Sequence, residues 1–209
     1  TQSDPAIAAQ GSADFNLFAL QGFGRFQVFT FDAAYTEQFG IEVPQPFRVS
    51  FPLNDALEVI SDGAPDSGFA KFTWVAGAGD DRRFVENFVI FAADWPQGDP
   101  AQRLSSIQAL IRDNVFAQAT AAHGGGELKG WGDGTMNGIP VVQAVGTYTD
   151  ALWGPMLLRI VAFPNPGEGP SYMVLNNISL EMVPIVHLDQ MRSSLGGQAL
   201  MSFTYLAKE

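Results

Sequence analysis

The segment 99–150 constrains the fold most, because it specifies a helix followed by a β-hairpin. Asp99 is suited to cap the first backbone N–H groups of a helix, and Pro100 fits the first turn, where no N–H is needed. Apolar residues follow at spacings of three and four and form one stripe: Leu104, Ile107, Leu110, Ile111 and Val115. Gly124-Gly125-Gly126 ends this pattern. We therefore predict one helix over residues 99–122 that packs on a sheet.

The hairpin is predicted from the residues that follow the glycines. Residues 127–131 can pair with residues 139–149, which are rich in β-branched and aromatic side chains. Asn137-Gly138 is a strong tight-turn dipeptide, and we place the turn over residues 133–138. In that register Trp131 pairs near Val141 or Val142. Gly146 inside the second strand indicates a bulge or a close backbone approach.

Strand patterns also occur on both sides of this segment. They cover residues 26–31, 47–51, 57–60, 68–75, 84–92, 156–163 and 172–183. The pair 68–75 and 84–92 predicts an antiparallel hairpin, and residues 164–170 predict a loop. Residues 33–39 suit a helical turn, and residues 187–195 suit a helix that Gly196-Gly197 interrupts. Strands around one long helix predict an α+β fold with a mainly antiparallel sheet flanked by helices.

Composition bounds the size of the core. The chain has 209 residues, of which 46% are hydrophobic and 16% charged, so that a sizeable core is available. The 17 phenylalanines either fill this core or, in part, line a ligand cavity. Neither an internal repeat nor a low-complexity linker divides the chain. We predict a flexible N-terminal arm at residues 1–13 and a single α+β domain over residues 14–209.

Charge and cysteine content exclude several functions. The formal net charge of −11 argues against binding to nucleic acid and to an anionic membrane surface, which lysine and arginine drive. The absence of cysteine excludes disulfides, thiolate catalysis and cysteine-ligated zinc. No apolar run approaches the roughly 18 to 20 residues of a membrane span. Residues 1–12 are typical of the start of an exported protein after cleavage, or of an ordinary frayed terminus, and we predict a periplasmic or secreted protein.

The order of these elements resembles the PsbP-like family. The resemblance rests on the strand Phe47-Arg48-Val49-Ser50-Phe51-Pro52, the paired strands, the central helix, Asn137-Gly138-Ile139-Pro140 opening the next strand, and Ser202-Phe203 near the end. It covers residues 47–206, and Gly196-Gly197 departs from the family's final helix. The resemblance implies an α/β/α sandwich and a non-catalytic accessory or binding role.

Catalytic and metal patterns are incomplete. His123-Gly124-Gly125-Gly126 is similar to a lipase oxyanion loop, but the chain has no Gly-x-Ser-x-Gly motif. His123 and His187 are the two histidines, and with Glu127 they would form at most a mixed zinc site across flexible glycines. The acidic pairs Asp80-Asp81 and Asp62/Asp66 suit turns, with a weak calcium site as the alternative. We predict no catalytic residue, no metal and no cofactor.

Three tryptophans lie at predicted element ends: Trp95, Trp131 and Trp153. They either form a ligand-binding platform or fasten loops onto the core. We predict that they are the ligand-binding residues of a non-catalytic, exported binding or accessory domain with an unknown protein or small-molecule partner. The alternative is a small hydrolase or metal-dependent enzyme that uses carboxylates with His123 or His187.

Overall fold

The computed structural model describes residues 15–62, 70–165 and 171–207. The predicted arm at residues 1–13 lies outside these ranges, as does Asp66, and the division into an arm and a domain stays a prediction. The first two residues of the predicted strand 68–75 and most of the predicted loop 164–170 also lie outside the described residues.

Seven of the described strands form the larger sheet. They are β3 (Leu57–Asp62), β4 (Ala70–Ala76), β5 (Arg83–Ala93), β6 (Gly126–Met136), β7 (Ile139–Asp150), β8 (Gly154–Phe163) and β9 (Ser171–Ser179). Their order in the sheet is β3-β4-β5-β9-β8-β7-β6, and all neighbours run antiparallel. The predicted hairpin of β4 and β5 is confirmed, and β6 lies at one edge of the sheet.

A smaller sheet joins the two ends of the described chain. It consists of β1 (Arg25–Phe31), β2 (Phe47–Leu53) and β10 (Thr204–Tyr205), in the order β1-β2-β10. The predicted helical turn is α1 (Ala33–Phe39), whose N-terminal N–H groups are capped by the Asp32 carboxylate. The strand β10 and the division into two sheets were not predicted, because both depend on pairing between residues that are distant along the chain.

The long helix covers one face of the larger sheet. It consists of α2 (Pro100–Leu110), a π turn (Ile111–Val115) and α3 (Phe116–Ala121), and Asp99 Oδ1 accepts from Ala101 N at 3.1 Å. Ile107 and Ile111 are fully buried against sheet residues such as Ala144. The predicted helix is confirmed, and its apolar stripe packs on the sheet, with Ile107 and Ile111 buried and Leu104, Leu110 and Val115 partly buried. The π turn has no signal in the sequence. None of the helices in the described ranges is long and apolar enough to cross a bilayer.

The opposite face of the larger sheet packs against the smaller sheet and α4 (Leu195–Ser202). Stacked phenylalanine rings fill the space between them: the ring centroids of Phe51 and Phe72 are 3.9 Å apart, and those of Phe163 and Phe203 are 4.1 Å apart. The α+β class with helices on both faces is therefore confirmed. An α/β/α sandwich implies a layer of helices on each face of the sheet. Here one of these layers contains the smaller sheet as well as α4.

The turn of the β6–β7 hairpin is shorter than predicted. Asn137 and Gly138 alone form it, with φ angles of 49° and 78°, which is the backbone of a type I′ turn. The prediction of a turn over residues 133–138 is wrong, because the tight turn lets residues 133–136 continue β6. Trp131 consequently pairs with Ala144 and not with Val141 or Val142.

Gly146 makes the close approach that its sequence position predicts. A Cβ atom there would lie 2.2 Å from the Phe116 ring and 2.6 Å from the carbonyl oxygen of Glu127. The register of β6 shifts between Leu128 and Gly130, opposite this glycine, which is the predicted bulge. Both features let α3 pack directly on the hairpin.

α4 begins at Leu195 and contains Gly196 and Gly197, so the predicted interruption at these glycines is wrong. The predicted helix over residues 187–195 is instead the 3₁₀ segment Leu188–Ser193, and the break falls at Ser194. Ser194 caps the helix, and its Oγ accepts from Gly197 N at 3.0 Å. A Cβ atom on Gly197 would lie 1.8 Å from the backbone oxygen of Met191, and one on Gly196 would lie 2.3 Å from the Asn176 side chain. The two glycines thus permit close packing at the start of the helix.

Glu86, on β5, completes the N-terminal cap of α4 from the larger sheet. Its carboxylate accepts from Leu195 N at 2.9 Å and from Gly196 N at 2.8 Å, and Asn176 Nδ2 donates to it at 3.2 Å. The side chain is fully buried. Burial raises the pKa of this carboxyl group from 4.5 to about 7, although the hydrogen bonds from Gly196 and Leu195 oppose that shift.

We expect the stability of the protein to fall as the pH rises from about 4.5 to 7. In this range the folded state holds the Glu86 proton more tightly than the unfolded state, so raising the pH favours unfolding. The slope that this one group contributes is at most about 1.4 kcal/mol per pH unit. Chemical denaturation from pH 4 to 8 measures it, and Glu86→Gln should flatten the curve. If NMR shows that the carboxyl group of Glu86 titrates below pH 5 in the folded protein, this expectation is wrong.

Candidate functional site

A groove of about 820 Å³ lies between the β6–β7 hairpin and the C-terminal part of the chain. One wall and the floor come from the hairpin and β8, and the other wall comes from the 3₁₀ segment Leu188–Ser193 and from α4. The side chains that line it are mixed in character: Lys129, Met136, Val141, Gln143, Val145, Arg159, Leu188, Asp189, Met191, Arg192 and Met201.

Alternating glycines on the edge strand create this space. Gly130, Gly132 and Gly134 pair with Val145, Gln143 and Val141, which line the groove. Since directly paired residues of antiparallel strands share a face, the glycines lie on the groove face of β6 and leave its stretch 130–134 without side chains. A Cβ atom on Gly132 or Gly134 would meet no other atom within 4 Å. The groove is thus a consequence of the repeated glycine.

The residues between these glycines face the other way. Trp131 pairs with Ala144, which belongs to the core beneath the long helix, so the indole lies on the helix face of the hairpin. The residue is 50% exposed, and the guanidinium carbon of Arg112 lies 5.7 Å from the ring centroid. Trp131 therefore contributes backbone to the groove, and its exposed ring forms a separate surface on the opposite face.

Arg159 is a buried cation at the floor of the groove. It lies on β8 beside Val145 and is 5% exposed. Its Nη2 and Nε atoms both donate to Gln143 Oε1, at 2.9 and 3.3 Å. Burial and the nearby Arg192 lower the pKa of Arg159 to about 10. The guanidinium is therefore still charged at neutral pH, in a place where charge is unfavourable.

Among the residues that the structure describes, neither arginine of the groove has a carboxylate partner. The ion pairs between described side chains are Arg25–Asp55, Arg82–Glu58, Arg112–Asp113, His123–Asp150 and Lys129–Glu127, and none includes Arg159 or Arg192. Asp189 is an exposed carboxylate on the same wall as Arg192, and it forms no ion pair within the described ranges. Buried charges in proteins are normally paired, so Arg159 is unusual.

The other two predicted ligand-binding tryptophans lie away from the groove. Trp95 is 4% exposed in the core beneath the helix, and its Nε1 atom has no hydrogen-bond partner among the described residues. Trp153 is partly exposed in the turn before β8, with its ring 5.8 Å from that of Phe84. The structure does not bring the three rings together, and their role in binding stays a prediction.

His123 is joined to a carboxylate, but outside the groove. Its Nδ1 atom lies 3.2 Å from Asp150 Oδ2, and its ring centroid lies 4.8 Å from that of Tyr148. Tyr148 donates its hydroxyl proton to Asn177 Oδ1 at 2.9 Å. Burial, and then the charge of Asp150, raise the pKa of Tyr148 to about 12. Through these contacts His123, which follows the long helix, is joined to Tyr148 and Asp150 on β7.

His187 lies at the surface, where its backbone N–H donates to Gln190 Oε1 at 2.9 Å. The two histidines are therefore not brought together into one site. In the ranges that the structure describes, no group of three or more His, Asp or Glu side chains is placed to hold a metal ion. The absence of metal, cofactor and catalytic residues stays a prediction.

The residues that form the groove were not recognised as a site in the sequence. Two signals point to it in retrospect. The first is the spacing of Gly130, Gly132 and Gly134, which puts every glycine on one face of a strand. The second is Arg159, which is the charged residue in the otherwise apolar run 156–163 of β8. Neither signal indicates which residues form the facing wall of the groove.

The comparisons with known proteins concern the fold. No protein-family model and no curated protein matches the chain. Among solved structures, it is similar to cyanobacterial PsbP (CyanoP) from Synechocystis sp. PCC 6803, with a TM-score of 0.46 and 12% identity over 91% of this chain and 99% of that chain. This agrees with the PsbP-like resemblance of the sequence. With a TM-score of 0.46 and 12% identity, this likeness supports no conclusion about the chain, and the fold class rests on the described strands and helices.

Proposed function

We propose that this chain is a non-catalytic binding or accessory domain whose ligand site is the groove between the β6–β7 hairpin and the C-terminal segment. The observation that supports it is the glycine face of β6, which keeps about 820 Å³ open beside mixed polar and apolar side chains. Ligand sites are typically concave and apolar, with a few polar groups that orient the ligand. The prediction that the protein is exported, to the periplasm or as a secreted protein, belongs to this proposal.

The His123–Asp150 pair favours a second function, an enzyme that uses a histidine with a carboxylate. A carboxylate partner can orient an imidazole that acts as a general base. However, the described lining of the groove includes neither His123 nor His187. The binding function is therefore the better supported of the two.

Filling the groove should abolish ligand binding without unfolding the protein. We expect Gly132→Leu to do this, because its φ is not left-handed and its Cβ atom would enter open space. The measurement is a ¹H–¹⁵N NMR screen of small organic compounds, in which hits should shift the amide signals of Gly132, Gly134 and Gln143. These shifts should be absent in Gly132→Leu.

The matched control is Asp133→Leu, which adds the same side chain on the opposite face of β6. It should leave the hits of the screen unchanged. Hits that persist in Gly132→Leu, or that map to Trp95 or Trp153, would contradict the proposed site. Hits that shift His123 and Asp150 would favour the enzyme instead.

A further inference from the structure

We propose that the groove binds an oxyanion, a carboxylate or phosphate group of a small molecule, between Arg159 and Arg192. This inference rests on the proposed function and names the chemical class of its ligand. It starts from the burial of Arg159, whose described polar contact is Gln143 alone. A guanidinium has five N–H donors, and one amide oxygen satisfies two of them.

Among the described side chains that face the groove, Arg159 and Arg192 outnumber the one unpaired carboxylate, that of Asp189, which leaves one excess positive charge. Arg192 is exposed on the facing wall and is close enough to disfavour the charge on Arg159. Lys129 is paired with Glu127 at 2.7 Å, and pairing within the hairpin places the Asp133 side chain on the other face. Asp189 is the carboxylate on the wall of Arg192. Glu86, on the same face of the sheet, accepts hydrogen bonds from Leu195 and Gly196.

An oxyanion would supply what the two arginines lack. A guanidinium binds carboxylate and phosphate oxygens through paired N–H groups, and these hydrogen bonds are among the strong ones in proteins. The chain as a whole carries a net charge of −11, so two neighbouring arginines without a carboxylate partner in the described ranges run against its overall charge. The apolar side chains beside them, among them Val141, Val145 and Met201, suit the carbon part of an organic anion.

The experiment compares three probes by NMR titration: sodium hexanoate, inorganic phosphate and the neutral 1-hexanol. We expect at least one of the two anions to shift the Gly132 and Gly134 amide signals and the Arg159 Nε signal, and to bind at least about tenfold more tightly than 1-hexanol. Tighter binding of hexanoate identifies a carboxylate site, and tighter binding of phosphate identifies a phosphate site. Affinity for the anion should fall as sodium chloride is added.

Two variants test the arginines. Arg192→Gln changes an exposed residue and should weaken anion binding about threefold to tenfold. Arg159→Met removes the buried charge while keeping an extended apolar side chain, and it should abolish the preference for anions without lowering the midpoint of unfolding. Arg83→Gln is the control, because it removes an exposed positive charge away from the groove.

Several outcomes would overturn the proposal: failure of both anions to bind, equal affinity for 1-hexanol, or unchanged affinity in Arg192→Gln. A marked loss of stability in Arg159→Met would show that the guanidinium serves the fold. If the probes bind in the groove and are excluded by Gly132→Leu, while their affinity is the same in both arginine variants, the groove remains the ligand site. In that case the proposal that it selects an oxyanion is wrong. If binding is indifferent to Gly132→Leu, the proposed function fails as well.

Discussion

Trp95→Ala should lower the free energy of unfolding by about 3–5 kcal/mol, the range of truncated core aromatic residues. Its indole is almost fully buried and shares a core with Ile107, Ile111 and Phe116. Removing it leaves a cavity under the long helix that rigid neighbours on the sheet cannot close. Urea denaturation followed by circular dichroism measures the change.

Two further variants serve as controls for the loss of the Trp95 ring. Trp95→Phe keeps an aromatic ring and removes the Nε1–H group, which has no partner among the described residues, so we expect it to cost far less. Trp131→Ala removes a half-exposed ring and should change the stability by less than about 1 kcal/mol. Equal losses for Trp95→Ala and Trp131→Ala would contradict the different positions of the two rings.

Gly197→Ala should destabilise the protein by about 3 kcal/mol, at the upper end of the cost of overpacking. The new methyl group would lie 1.8 Å from the backbone oxygen of Met191, and backbone cannot move aside as a flexible side chain can. The start of α4 would have to shift, and with it the Ser194 cap and the two hydrogen bonds to Glu86. Thermal unfolding of the purified variant measures the loss.

Gly132→Ala is the control for this substitution. Its Cβ atom would meet nothing within 4 Å, and its backbone is not left-handed, so we expect no significant loss of stability. An unchanged stability in Gly197→Ala would show that the 3₁₀ segment and α4 are not packed as closely as described.

The elements that the sequence predicted correctly are those with local causes. The Asp99 cap lies two or three residues from the N–H groups that it accepts from, and the stripe through Ile107 and Ile111 needs only the period of a helix. The Asn137-Gly138 turn is likewise set by the backbone preferences of two adjacent residues. Because the turn is tighter than predicted, Trp131 pairs with a different residue from the one expected. The length of a hairpin turn decides the partner of every residue in both strands.

The tertiary structure alone decided the C-terminal helix and the site. Gly196-Gly197 looks like a break in the sequence, but Glu86, 109 residues before Leu195, supplies the acceptors that the helix start needs. The groove required β6 to lie at the sheet edge and residues 188–201 to face it. Arg159 and Arg192 are ordinary charges in the sequence. They become a candidate anion site because folding buries one of them beside the other without placing a described carboxylate against either.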